Sequence, residues 1–137
     1  MSTGDVELIY QLSPLQQAML FHSLYAPRSG VYVVQMTLRL SGRLEIAAFE
    51  RAWREVVNRH GILRTAFYWE ELEQPMQVVH RHVELEITRE SWRGLGDCEQ
   101  RDRLARFLDA DRERGFDVSE PPLMRWALFE LGPEVHQ

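Results

Sequence analysis

The stretch Arg59-His60-Gly61-Ile62-Leu63-Arg64-Thr65-Ala66-Phe67 puts a helix end, a strand start and two arginines into nine residues. Upstream, Leu44, Phe49, Ala52, Trp53, Val56 and Val57 recur with a helical period, and Gly61 falls where a left-handed cap would stop the helix. Downstream, Leu63 to Trp69 is rich in strand formers, so a strand is expected to start near Leu63. Two guanidiniums that read as buried at such a junction need an anion, because a charge taken out of water is costly unless paired and hydrogen-bonded. For Arg59 the dipole at a helix C-terminus explains part of its presence. For Arg64 the plain alternative is a side chain pointing to water from a strand edge. The stretch reads as a site whose anionic partner has to be found.

Working outward, Asp5 to Leu12 is a short, partly alternating segment. Ser13-Pro14-Leu15-Gln16 then combines a capping serine, a proline at the first helical position and a glutamine three residues after the cap, so a helix is expected from Pro14 to Tyr25. It should stop before Pro27, with Arg28-Ser29-Gly30 as the turn. Val31 to Leu40 (VYVVQMTLRL) reads as a strand, and Glu45 to His60 as a second helix. After an acidic turn at Glu70 to Gln74, residues Gln77 to Thr88 alternate strictly. Val79, Arg81, Val83, Leu85 and Ile87 should face one way, and His80, His82, Glu84 and Glu86 the wet side. Asp97 is expected to cap a third helix from about Cys98 to Arg114, with Leu104, Phe107 and Leu108 inside and Gly115 as its end. Phe116 to Pro122 is a turn-rich connector, and Leu123 to Leu131 (LMRWALFEL) a last strand. No repeat or linker divides the chain, so residues 1–137 form one domain or lobe. The expected class is α/β (α+β): a two-layer sandwich, a mixed sheet with helices packed on one face.

Bulk properties narrow the function. The length suits one modest core without staples, and the lone Cys98 cannot form an intrachain disulfide. No signal peptide is read at the N-terminus, and no apolar run approaches the ~20 residues needed to span a bilayer, so a soluble, cytoplasmic protein is expected. A net charge of −5, with arginines scattered among carboxylates, argues against a nucleic-acid surface. All 16 basic residues are arginine, which suggests a GC-rich coding genome rather than a binding role.

The candidate reactive groups have plain structural readings. His80, His82 and Glu84 would line up at strand spacing, but a three-ligand zinc site on adjacent positions lacks a fourth group, so polar residues on a solvated face fit better. Cys98 sits between Asp97 and Glu99 with nothing to lower its pKa. His22 on the first helix has no orienting carboxylate nearby in sequence and suits a cleft wall more than a base. Ser13 is accounted for as a cap, and His136 lacks a partner aspartate.

At this point the residues resemble the N-terminal lobe of a condensation domain of nonribosomal peptide synthetases. Tyr10 to His22 (YQLSPLQQAMLFH) is similar to that family's first core motif. Arg59 to Phe67 matches the second, Arg-His-x-x-Leu-Arg-Thr-x-Phe, at all six fixed positions. Phe116 to Arg125 is similar to the segment before the active-site strand, and the first-motif variant is closer to subtypes that accept an upstream peptide than to heterocyclisation domains. The resemblance implies a chloramphenicol acetyltransferase-like fold, half of which is represented here, with two lobes around a tunnel for two carrier-protein phosphopantetheine arms. It implies amide formation between a donor thioester and an acceptor amine. No cofactor is expected to bind the chain directly. The expected partners are donor and acceptor peptidyl carrier proteins and the C-terminal lobe of the domain.

The family's third motif, His-His-x-x-x-Asp-Gly, carries the histidine that assists the attacking amine. This sequence contains no such motif and stops a few residues before its expected place, so no catalytic residue is assigned and the chain alone is expected to be inactive. The resemblance gives Arg59 an ion pair with the third motif's aspartate and Arg64 a less defined supporting role. It puts Gln16, Met19 and His22 of the first helix along the cleft. Two other readings stand beside it: a non-catalytic module docking a carrier protein or another part of a synthetase through Pro14 to Tyr25, and an acyltransferase completed by a second chain.

Overall fold

Ser13 and Pro14 start the first helix by local chemistry alone. In the computed structural model, which describes residues 5–26 and 29–137, strand β1 (Val6–Gln11) leads into helix α1 (Pro14–Tyr25). The Gln16 N–H donates to the Ser13 hydroxyl at 3.3 Å, and Gln16 Oε1 accepts from the Ser13 N–H at 2.9 Å, a complete capping box. Pro27 and Arg28, expected to end the helix and begin the turn, lie outside the described residues.

Val31 to Leu40 departs most from expectation. Only its last residue enters a ladder, as β2 (Leu40–Ser41) paired antiparallel with β7 (Val135–His136). Val31 and Tyr32 form a turn, with the Val33 N–H donating to the Gly30 carbonyl oxygen at 3.1 Å, and residues 33–39 have no regular structure, with Gln35 held on helix α3 (Asp97–Arg114) by Leu108 O at 2.8 Å and Asp111 Oδ2 at 3.0 Å. Val34, Met36 and Leu38, at strand spacing, face outward and are 87, 79 and 59 % exposed. Composition makes this segment strand-like, but a ladder needs a neighbour, and neighbours are a matter of tertiary structure. An apolar strip in line with the existing β2–β7 ladder invites a strand from a second copy. The chain should therefore self-associate as concentration rises, measured by light scattering, and Val34→Lys with Met36→Lys should restore the monomer. A wild type that stays monomeric at millimolar concentration would refute this.

Helix α2 (Ile46–Arg59) is capped by Glu45, whose carboxylate accepts from the Ala47 and Ala48 N–H groups. Its end corrects the expected left-handed glycine cap: Gly61 has no positive φ and opens a single 3-10 turn, Gly61–Arg64. Space is tight there, since a Cβ would lie 3.2 Å from Val79 Cγ1 and that side chain would have to give by a few tenths of an ångström. Strand β3 (Thr65–Tyr68) follows and pairs antiparallel with β4 (Met76–His80).

The alternating stretch Gln77 to Thr88 is not one strand. β4 lies at the centre of a three-stranded antiparallel sheet, order β1-β4-β3. β5 (Ile87–Ser91) lies at the edge of a four-stranded mixed sheet, order β2-β7-β6-β5, parallel to β6 (Trp126–Gly132). Val78, Val79 and His80 are buried in succession, so both faces of β4 are covered at its C-terminal end, while Arg81 and His82 beyond it are exposed. The wet face expected for His80 is thus overturned at that residue.

α3 begins after Gly96 with no side-chain cap, so Asp97 contributes only its charge in the first turn, and Gly115 at φ 61° ends it. Trp53 of α2 packs on Trp126 with ring centroids 3.7 Å apart, and Phe107 of α3 meets Phe129 edge-on at 5.0 Å. Residues 126 and 129 point to opposite sides of β6, so α2 and α3 lie on either side of the four-stranded sheet. Along the chain the order is β1-α1-β2-α2-β3-β4-β5-α3-β6-β7, a mixed α/β architecture.

Candidate functional site: the arginine junction

The helix-to-strand junction separates its two arginines. Arg64 is buried to 5 % exposure beneath the end of α2 and the C-terminal end of β4. Its Nε donates to Val57 O at 3.2 Å, and its Nη1 donates to the carbonyl oxygens of His80 and of Arg81, the latter at 3.1 Å. The same Nη1 lies 2.7 Å from Glu7 Oε2 of β1. One guanidinium thus joins α2, β4 and β1, a task suited to its planar fork of donors. Arg64 does not point to water from a strand edge.

Arg59 is exposed on the last turn of α2, where its charge complements the helix dipole. Of the two arginines that read alike in sequence, only Arg64 is buried. Glu7, which supplies its anion, was missed by sequence reasoning. It lies 57 positions away on a strand with no motif of its own, and only the pairing of β1 with β4 brings it into reach.

The three α1 candidates differ in their surroundings. Gln16 is half-buried, engaged in the capping box and 3.1 Å from Gln77 Oε1 of β4. Met19 is half-buried, and His22 is exposed with Nδ1 3.3 Å from the Tyr32 hydroxyl. Their spacing of three residues puts them on one side of the helix. They are not joined to the arginines: Arg64 reaches β1 and β4, while α1 reaches the opposite end of β4. Two cavities of about 250 and 370 Å³ flank α2, lined by residues such as Arg89, Glu130 and His136 in one and Arg54, Asn58 and Leu85 in the other. Neither is lined by Gln16, Met19, His22, Arg59 or Arg64.

The remaining reactive side chains have structural surroundings. Among the described residues no group of three His, Cys, Asp or Glu side chains could hold a metal ion. His80 and His82 part company because β4 ends between them. Cys98 is exposed, with its Sγ 3.3 Å from Arg101 Nη2. His136 is buried in β7 opposite Leu40 and Glu130.

A family model for the condensation domain matches residues 6–137, from β1 to the last residue. The chain belongs to the condensation-domain family. This condensation-domain chain is 48 % identical over 136 residues to a linear gramicidin synthase polypeptide of Brevibacillus parabrevis, covering 99 % of the chain and 2 % of that protein. To a mycosubtilin synthase polypeptide of Bacillus subtilis it is 40 % identical over 131 residues, covering 96 % of the chain and 5 % of that protein. The chain therefore spans only a few per cent of the length of these relatives. The first condensation domain of the CDA synthetase superposes with a TM-score of 0.81 at 22 % identity, over 96 % of this chain and 34 % of that one. A four-domain nonribosomal peptide synthetase bound to AMP and glycine gives 0.82 at 16 %, over 96 % and 10 %. The shared fold is that of the chloramphenicol acetyltransferase-like condensation domains. The junction 59–67 and the first-motif helix both lie inside the matched range.

Proposed function

We propose that this chain is the N-terminal part of a domain that forms amide bonds between carrier-protein-bound aminoacyl or peptidyl thioesters, and that it does not catalyse by itself. The observation that carries the reading is the condensation-domain match across residues 6–137 together with the complete second motif at Arg59 to Phe67. In this reading Arg64 holds the junction from within and Arg59 stands at its surface, available to an aspartate of the His-His-x-x-x-Asp-Gly motif. Gln16, Met19 and His22 line the cleft side of α1. The histidine that would assist the amine is not in this sequence, and neither cavity beside α2 gathers the motif residues. Donor and acceptor carrier proteins bring the phosphopantetheine arms, and a second lobe closes the tunnel. No helix among the described residues is long and apolar enough to cross a membrane, in keeping with work in the cytoplasm beside those partners.

Acyl transfer at neutral pH needs a group to manage the amine proton, worth about 10²- to 10⁴-fold in rate. Incubation of the chain with two loaded carrier proteins should give no condensed product above the protein-free control, read by mass spectrometry of the released thioesters. A longer protein carrying the histidine motif should give product. Product from this chain alone would overturn the reading. The alternative, a non-catalytic docking module, draws on the exposed apolar side of α1, where Leu15, Phe21 and Tyr25 are 71, 65 and 81 % exposed. It requires micromolar binding of a carrier protein that Phe21→Asp abolishes.

A further inference from the structure

β1 is an edge strand with little to hold it. Five of its six residues are exposed, and its neighbour on one side only is β4. Yet its N-terminal end converges on a set of charged and polar groups that the proposed function does not use. Asp5 Oδ2 lies 3.1 Å from His80 Nδ1, and His80 Nε2 lies 3.3 Å from the Tyr68 hydroxyl. The Arg81 N–H donates to the Asp5 carbonyl oxygen at 2.7 Å, and two residues further on Glu7 meets Arg64. We infer that Asp5, His80 and Tyr68, with the Glu7–Arg64 pair beside them, form an acid-released clasp that fastens β1 to β4 and thereby anchors the locally capped start of α1 to the sheet.

The proton positions follow from the donor inventory. A carboxylate only accepts, so Nδ1 of the buried His80 carries a hydrogen. With a neutral ring, Nε2 then accepts from the Tyr68 hydroxyl. With a charged ring, Nε2–H donates to the Tyr68 oxygen instead. Both contacts survive either state of the histidine, so the clasp does not open where histidines ordinarily titrate. It weakens when Asp5 takes up a proton, because the charge-assisted bond is lost.

The groups facing this cluster come from every packed element: Asp5 and Glu7 from β1, His80, Arg81 and His82 at the end of β4, Tyr68 from β3, Arg64 from the 3-10 turn, and Asp117 and Glu120 from the connector. Hydrogen bonding to His80 holds the Asp5 carboxyl below its ordinary value; burial opposes this, and the charge of His80 and then the hydrogen bond and charge of His82 add to the lowering. Burial, then the charges of Asp117 and Asp5, push the Tyr68 phenol up, so it stays protonated through the neutral range. For a depressed carboxyl the stabilisation is present above its unfolded value and is lost as pH falls through the folded one. Release therefore belongs to the acid side of the ordinary carboxylate range. Because only Leu12 and Ser13 separate β1 from α1, loosening the strand frees the start of that helix. The inference is independent of the proposed function.

Amide hydrogen exchange on the 137-residue chain between pH 3 and 7 tests it, comparing protection in β1 with that in β3. In the wild type, β1 should keep its protection relative to β3 until about pH 4 or below and then lose it first. Asp5→Asn should cut β1 protection about tenfold at pH 6 to 7 while β3 is unchanged. Tyr68→Phe should cause a smaller loss in β1. Unchanged β1 protection in Asp5→Asn, joint loss of β1 and β3, or a wild-type transition near pH 6.5, where free histidine titrates, would each overturn the clasp. Should Asp5→Asn fail to fold, the wild-type profile and Tyr68→Phe decide between the same outcomes.

Discussion

Replacing Arg64 with alanine should lower the unfolding free energy by about 2–4 kcal/mol, chiefly because buried carbonyl oxygens lose their donor at about 1–3 kcal/mol for each one left unsatisfied. Its side chain is 6 % exposed, and its loss strands the carbonyl oxygens of Val57, His80 and Arg81 as well as freeing Glu7. Unpaired buried acceptors carry their desolvation cost. For a lobe of this size, with a total stability on the order of 5–15 kcal/mol, that is a large share of the whole and should shift the urea midpoint clearly downward. Arg64→Lys should recover part of the loss, because an ammonium can meet Glu7 but lacks the planar fork that serves the carbonyls. Arg59→Ala is the matched control. Its side chain is exposed, so the change should stay within about 0.5 kcal/mol. Urea unfolding followed by tryptophan fluorescence reads all three variants, and equal losses for Arg59→Ala and Arg64→Ala would refute the division of labour between them.

Trp92→Ala should cost a comparable amount, about 3–5 kcal/mol, by a different mechanism. Trp92 is 2 % exposed and stacks on Phe129 of β6 with centroids 3.9 Å apart, and Phe129 in turn meets Phe107 of α3 edge-on. Its N–H donates to the Glu130 carbonyl oxygen, its indole Nε1 donates to Glu90, and its carbonyl oxygen accepts from Gln100 of α3. The residue thus joins β5, β6 and α3 through both packing and polar bonds. Alanine leaves a cavity between α3 and the four-stranded sheet, which a close-packed interior relieves only in part. Trp92→Phe keeps the stacked ring and should lose less than half as much. A thermal shift for Trp92→Ala no larger than for a surface substitution would show that α3 packs without it.

The two arginines show what sequence reasoning can and cannot resolve. Both sit in one motif and both invite an anion, yet one is buried and one exposed, because a 3-10 turn, rather than a left-handed cap, carries the chain from α2 into β3 and swings Arg64 under the sheet. The capping box at Ser13 and Gln16, the amphipathic face of α2 and the end of α3 at Gly115 were legible because each depends on residues within one or two turns. The segment Val31 to Arg39 was not, since its strand-like composition says nothing about whether a neighbour lies alongside. His80 was misplaced for a related reason: an alternating pattern predicts one wet face, but distant segments decide whether that face is covered, and at His80 it is.

The three helices, the capping box at Ser13, the stop at Gly115 and the family motifs were thus determined by the sequence itself, through propensities and spacings that act over a few residues. What the tertiary structure decided was partnership. It divided one alternating stretch between two sheets, chose Glu7 as the anion for Arg64 from 57 positions away, and turned His80 inward to Asp5 and Tyr68. The physical reason is that the pairing of a buried charge or a strand edge depends on which distant segment arrives beside it. That is settled by packing the whole chain and not by any local pattern.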